Sequence, residues 1–490
     1  MRGTWSMVVA MAGLTLLGSC LVSPDPGLWQ RRIDAAPDRS ADAPPGDLAP
    51  DSPVYLDSVG PGVITIYRSV GPGSTAPLAQ GSSSAPLTVS GVVASFGEAL
   101  PARTGVGDAL VYDADADGDI DGADALAFIH RRYSATSFEV RTASGAAPTP
   151  VAKAALWSLH RAYGSIADAL AGDENSGIAQ GLRDFDTWSD GTDLVTPNLR
   201  WAIACYADAK ETRPFRISGW TTSPKNHLRI FAPSKPDEVG ASQRHSGKAG
   251  TGFVIDTGTA AHAITIESNE VWLEGLEVTG WLNDVANASW EGIHVAADGA
   301  LIDGMIVHDD TVVGTTNPNG DAINLNDMQA GQVVTVRNCA IYNISRGAVN
   351  YQGSEALLVN IESCTIHNTG TSLAQADSEG GISIAGTAAT VSVLNTISVG
   401  SGSGEDFKSG SGFGGSSNNL SSDDSAPGAA SLTQTLGADL FVSTTSGAED
   451  LHLVSGAAAV GKGKDLSKSF DLDIDNEVRS APWDIGADER

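Results

Sequence analysis

The sequence predicts an all-β chain whose larger part is a parallel β-helix, and three observations carry that prediction. A ten-residue pattern recurs from about residue 250 onward, apolar residues alternate with period two over short runs, and Gly is abundant while aromatics are scarce. Four copies of the pattern occupy 271–280, 300–309, 334–343 and 359–368, and a degenerate fifth occupies 391–399. Each has apolar residues at positions 1, 3, 6 and 8, polar or Gly residues at the centre, and a small polar residue at position 10. Taking Val278, Val307, Ile341 and Ile366 as equivalent, the steps are 29, 34 and 25 residues. Such steps describe a solenoid, in which each unit buries its apolar face only by stacking on its neighbours. Short period-two strands make the coil a β-helix rather than a stack of helical hairpins. The register turns Leu273, Leu276, Ile302, Met305, Val336, Ile341, Ile361 and Ile366 inward. It sets Thr279, His308, Tyr342 and His367 in one outward line, with Gly280, Asp309, Asn343 and Asn368 as a turn ladder beside it.

Composition narrows the function classes. The 490 residues are 41% hydrophobic, enough for a sizeable core, and carry a net charge of −30. So acidic a chain repels phosphate backbones, which argues against nucleic-acid partners. Four Cys make no disulfide framework. Cys339 and Cys364 share position 6, inside the coil, where buried free thiols are the favoured state and a disulfide is the alternative.

Residues 1–19 read as a signal peptide: Arg2, then an apolar run from Met7 to Leu17 too short to span a bilayer. Its ending, Leu17-Gly18-Ser19-Cys20, resembles the bacterial lipobox. That resemblance implies lipidation and cleavage at Cys20, hence export to the outer membrane or cell surface with the lipid as the only membrane contact. Residues 20–60, rich in Pro, Asp and Ala, read as a disordered tether. Residues 61–180 read as a small mainly-β region, with strands near 63–67, 87–93 and 138–141 and a helix over 152–170. Within it, Asp113, Asp115, Asp117, Asp119, Asp121 and Asp124, with Gly118 at the sixth position, have the spacing of EF-hand and dockerin calcium loops. Ca²⁺ is the cofactor this spacing suggests; an acidic solvated hairpin loop is the alternative. The loop is single, and its twelfth position is Asp rather than Glu. Residues 125–133 are either its exit helix or a strand paired with 138–141.

The repeat register, Trp188 in Asp-Thr-Trp-Ser-Asp, the run Ser218-Gly-Trp220, and the ending Trp483-Asp-Ile-Gly-Ala-Asp-Glu489 resemble secreted bacterial right-handed parallel β-helix proteins of the pectate-lyase-like superfamily. The resemblance covers residues 181–490, with Trp483 expected to cover the last coil. It implies a right-handed coil and much less about activity; the extended stack of strands suits a polysaccharide partner, and whether the chain binds glycan, cleaves it as a lyase or hydrolase, or serves as a structural adhesion or envelope protein is open.

Candidate site residues follow from chemistry. His308, Tyr342 and His367 form a stripe suited to stacking on sugar rings. Glu291, Asp310, Asp321 and Asp327 are the carboxylates available for acid–base work, with ordinary solvated loop acids as the alternative. His294 alternates outward on its strand, where an incidental position is the favoured reading, and residues between Asp310 and Asp327 form an insertion expected to wall a groove. Residues 210–248 hold eight Lys or Arg against three acids. Arg229, Arg244 and Lys248 are therefore the candidates for docking anionic sugars, unless the segment is simply neutralised surface.

Overall fold

The corners of the coil explain the repeat. The central polar residue of each copy adopts a left-handed conformation: φ is 70° at Gly275, 59° at Gly304, 51° at Asn338, 49° at Ser363 and 51° at Asn395. Gly and Asn tolerate this region, and the chain turns there from one strand into the next. Position 10 turns in the same way, with φ between 50° and 54° at Asp309, Asn343 and Asn368. The Asn343 side-chain amide donates to Asp309 Oδ1 (2.8 Å) and that of Asn368 to Asn343 Oδ1 (2.7 Å), completing the expected ladder.

A computed structural model describes residues 62–490 apart from 189–190, 260, 284–289, 313–319, 372–379 and 403. The expected signal peptide, Cys20, the expected tether and residues 313–319 of the expected insertion lie outside the described residues. The coils build three parallel sheets, so the protein is a parallel β-helix. The first sheet has eight strands, from Ile64–Val70 to Thr390–Leu394. The second runs in seven from Phe215–Ile217 to Phe407–Ser409, and the third in seven from Val254–Asp256 to Leu420–Ser421. All eight residues expected inside the coil are at most 1% exposed. Cys339 and Cys364 stand among them as buried free thiols, and Cys205 is a third.

Two regions differ from the sequence reading. The first is 61–180. Its strand Ile64–Val70 belongs to the solenoid, pairing in parallel with Leu199–Cys205. Between these two rungs the chain forms an eight-stranded antiparallel sheet, with its own core around Leu110, Tyr112, Phe138 and Trp157. Ala125–Arg132 is a strand paired with both Ala109–Tyr112 and Ser137–Arg141, so the Asp-rich segment connects a β-hairpin. The helix expected over 152–170 is confined to Ile166–Ala171, after strands Val151–Ala154 and Trp157–His160. Trp157 and Leu159 are buried while Leu156 is exposed, so period two wins over the helical spacing. The helix starts where its cap is: the Ser165 hydroxyl accepts from the Asp168 N–H (3.0 Å), and Gly172 ends it at φ 75°.

The second region is the C-terminus. Beyond the last coil the chain returns along the outer face of the third sheet, where Leu440, Phe441, Leu451, Leu453 and Ile485 pack with Ile306, Ala340, Tyr342 and Val399. Trp483 is buried on the flank of the solenoid with Leu394, Leu466 and Phe470. The edges of the last coil are met instead by bridges such as Val391 to Phe413 and Leu420 to Leu432. Asn476 holds φ 73°.

Candidate functional site

The stripe His308–Tyr342–His367 is in register as expected, with His308 opposite Tyr342 and Tyr342 opposite His367. It does not face solvent as a sugar platform, because the returning C-terminal chain packs over it. His308 is 8% and Tyr342 4% exposed. The two rings stack at 4.9 Å, and His367 meets Phe441 edge-on. His308 Nε2 bonds Glu277 (3.0 Å) and Nδ1 bonds Asp309 (2.8 Å). Burial opposes its charge, but these two carboxylates prevail and raise its pKa to about 9.

The basic segment is likewise drawn into ion pairs. Arg229 lies against Glu274 (2.7 Å) and Glu238 (3.7 Å), Lys248 pairs with Asp450 (3.6 Å), and Lys210 pairs with Asp256 (2.9 Å). Arg244 donates to the Ile474 carbonyl of the returning chain (3.2 Å). Each of these four cations therefore has its anion or carbonyl, and Arg229, Arg244 and Lys248 lie in a seam between the first coils and the C-terminus.

The four candidate carboxylates divide. Asp310 accepts from the Ser345 N–H (2.8 Å) and hydroxyl, which makes it a brace within the turn. Asp321 is 0% exposed and accepts from Asn350 (2.7 Å), Asn324 (3.0 Å) and the Gly347 N–H (3.0 Å), with Arg346 at 3.3 Å. Burial raises its pKa despite Arg346. Glu291 and Asp327, by contrast, meet at a cluster the sequence reading passed over.

That cluster sits on the outer face of the second sheet. His262 and Glu291 hold the same place in successive coils, just ahead of the paired strands Ile264–Ile266 and Ile293–Val295. His294 is the middle residue of the second strand and points outward from it. His262 Nδ1 lies against Glu291 Oε2, and His294 Nδ1 is 3.8 Å from the same oxygen. The Glu291 backbone N–H also reaches His262 Nδ1 (3.2 Å). The two imidazoles stack at 4.6 Å, Trp290 meets His262 edge-on at 5.2 Å, and His294 Nε2 bonds Asp327 Oδ2 (3.1 Å). Glu291 is buried, while the Asp327 side chain is 73% exposed, so the cluster reaches from core to solvent. Its signal in the sequence was the interval: His262 and Glu291 lie 29 residues apart, the step that separates Val278 from Val307.

Among the described residues, three other groups offer converging ligand atoms within 4.8 Å of one another: His452 with Asp475 and Asp488, Asp113 with Asp115 and Asp124, and Asp119 with Asp121 and Asp124. In the Asp-rich hairpin, Asp113 accepts from the Ala116 (2.7 Å) and Gly118 (3.2 Å) N–H groups, and Gly118 takes φ 93°. Repulsion from Asp117 heads the causes that raise the Asp119 pKa.

The fold and this face define a parallel β-helix with a His/Glu/Asp cluster on its second sheet. Comparison with models of known families and with curated proteins gives no match. Among solved structures, the chain is similar to pectate lyase Pel9A at 14% identity and TM-score 0.32, covering 59% of this chain and 88% of that one. It is similar to the tailspike protein gp49 from Pseudomonas phage LKA1 at 12% identity and TM-score 0.14, covering 69% and 50%. A third is the Gp54 tailspike of Acinetobacter baumannii bacteriophage AP22 in complex with A. baumannii capsular saccharide, at 9% identity and TM-score 0.15, covering 76% and 62%.

Proposed function

We propose that this chain is an exported lipoprotein whose β-helix recognises polysaccharide along the outer face of the second sheet, around His262, Trp290, Glu291, His294 and Asp327. The observation that carries the reading is the convergence of two imidazoles, an indole and two carboxylates on one sheet face. Rings stack on the apolar faces of sugars, and carboxylates accept from their hydroxyls. Because the cluster carries carboxylates and Arg229, Arg244 and Lys248 are engaged within the protein, the reading favours a hydroxyl-rich neutral glycan over a polyuronate. Binding of the full-length protein to a panel of neutral and uronic polysaccharides tests it. A neutral glycan is expected to bind, and Trp290→Ala or His294→Ala to weaken it about tenfold. Absence of binding to any glycan, or variants that bind as the parent does, would return the protein to the structural adhesion class. Appearance of reducing ends or unsaturated products in the same incubations would mark it as a hydrolase or lyase, with Glu291 and His294 the groups placed for proton transfer.

The lipid anchor belongs to the same reading and rests on the Leu17-Gly18-Ser19-Cys20 run. Labelled palmitate is expected to enter the parent protein and not Cys20→Ala; label in the variant would remove the anchor. Ca²⁺ in the Asp-rich hairpin is the third element. Its support is the carboxylate convergence on Asp124 and the repulsion at Asp119, which a divalent cation would relieve. Ca²⁺ is expected to raise the melting temperature of the parent by several degrees and to leave that of Asp113→Ala or Asp124→Ala unchanged. Equal melting temperatures of the parent in Ca²⁺ and in chelator would overturn this.

A further inference from the structure

We infer that His262, Glu291 and His294 form a binding site for a single divalent transition-metal ion of the zinc class. The inference stands on the cluster alone and does not depend on which polymer, if any, the face binds. The imidazole nitrogens and the Glu291 carboxylate oxygen lie within 4.8 Å of one another, close enough for one ion to join all three after small side-chain shifts.

An unpartnered buried nitrogen aimed at the Glu291 carboxylate points to a bound cation. His294 Nε2 is 3.1 Å from the Asp327 carboxylate, an acceptor-only group, so the ring proton sits on Nε2. Its Nδ1 faces Glu291 Oε2 at 3.8 Å, and this buried nitrogen has no hydrogen-bond partner. One ion held between His262, Glu291 and His294 would give that nitrogen its partner, displacing the long 3.2 Å bond from the Glu291 N–H to His262. The remaining contact has the form expected of a metal-bound imidazole, whose far nitrogen is held by a second carboxylate that fixes tautomer and ring orientation. Asp327 takes that positioning part.

The donor set selects the metal. Two imidazoles and one carboxylate suit zinc and its first-row neighbours, whereas Ca²⁺ and Mg²⁺ take oxygen ligands. Three protein ligands leave a tetrahedral ion one position for water or a ligand hydroxyl, the coordination of catalytic rather than purely structural zinc. The arrangement is created by the coil: His262 and Glu291 are stacked by one solenoid step, and His294 follows Glu291 by three residues, across one strand.

The test is metal content and titration calorimetry of the full-length protein, stripped with chelator and titrated with ZnCl₂ in Ca²⁺-containing buffer, with no glycan present. One equivalent of Zn²⁺ is expected to bind tightly enough to survive dialysis. His294→Gln or Glu291→Gln should remove that equivalent, and Asp327→Asn should weaken it about tenfold or more. His452→Gln, at the other His-containing cluster, should leave it in place. Co²⁺ substituted at the same site should give visible d–d absorption that disappears in His294→Gln. Should Glu291→Gln fail to fold, His294→Gln decides the matter, since its side chain is partly exposed at the strand surface. No bound Zn²⁺ in the parent, or an equivalent that persists in His294→Gln, overturns the inference and leaves a His–Glu ion pair. Zinc bound without any glycan affinity would overturn only the glycan reading.

Discussion

Replacing Asp186 by Ala is expected to cost about 3–5 kcal/mol of stability, because it strands a buried cation. Arg68, on the first strand of the first sheet, is 1% exposed and meets Asp186 through two parallel bonds of 2.7 Å. Tyr163 donates its hydroxyl to the same carboxylate, and the Asp186 N–H donates to Glu174 (2.9 Å). The Arg68 guanidinium lies 3.8 Å from the centre of the Phe128 ring in the antiparallel sheet. The pair thus ties the first rung, the antiparallel sheet and the segment leading to the second rung together. In Asp186→Ala the guanidinium loses its carboxylate and, among the described residues, keeps hydrogen bonds to the Tyr67 and Ala143 carbonyls alone. Denaturant unfolding measures the loss. The double variant Arg68→Met/Asp186→Leu should recover most of it, since an apolar pair of similar volume leaves no charge behind. A single variant within 1 kcal/mol of the parent would show that the charge is not buried in solution.

Stability is also expected to fall as pH rises from about 7 to 10, with His308 responsible for about 3 kcal/mol of the fall. Its pKa is about 9 in the fold, held up against burial by the bonds to Asp309 and Glu277. In the unfolded chain it returns to an ordinary histidine value near 6.5. The folded state therefore holds the proton more tightly. Its contribution is complete below about pH 6.5 and is lost as pH climbs through 9. His452, raised to about 10 chiefly by its bond to Asp475, acts in the same direction and remains in the His308→Gln variant. Comparing parent and variant across pH therefore isolates His308. The gap between them should narrow from pH 6 to pH 10; a constant gap would mean that His308 is neutral in the fold.

The solenoid was legible because each coil writes its register into ten consecutive residues. Leu273 and Leu276, or Ile361 and Ile366, declare their side of the chain without reference to anything distant. What was not legible depends on segments far apart in sequence. Tyr342 is outward by register and buried by Leu440, Phe441 and Leu451, about a hundred residues on, so no local pattern distinguishes a sugar platform from a docking face. The Arg68–Asp186 pair spans 118 residues for the same reason. Glu291 and Asp327 were recognised as candidates by residue type. Their partner His262 was not, because it precedes the four clear copies of the repeat and its equivalence to Glu291 appears only once the Ile264–Ile293 pairing is known. His294 was read correctly as outward, and its significance came from what the neighbouring coils bring beside it.

The first rung has a consequence for the order of events during synthesis. Ile64–Val70 finds its parallel partner only in Leu199–Cys205, whereas every strand of the antiparallel sheet lies between Ala79 and His160. A chain emerging from its N-terminus thus has the whole antiparallel sheet in hand before its first coil can close. Closing so long a loop is slow compared with forming local hairpins. Backbone contacts already await the early strand: Ser69 donates to the Gly107 carbonyl (3.0 Å) and accepts from the Tyr163 N–H (3.0 Å). The antiparallel sheet thus offers the first strand a docking edge made entirely of residues synthesised before Leu199–Cys205.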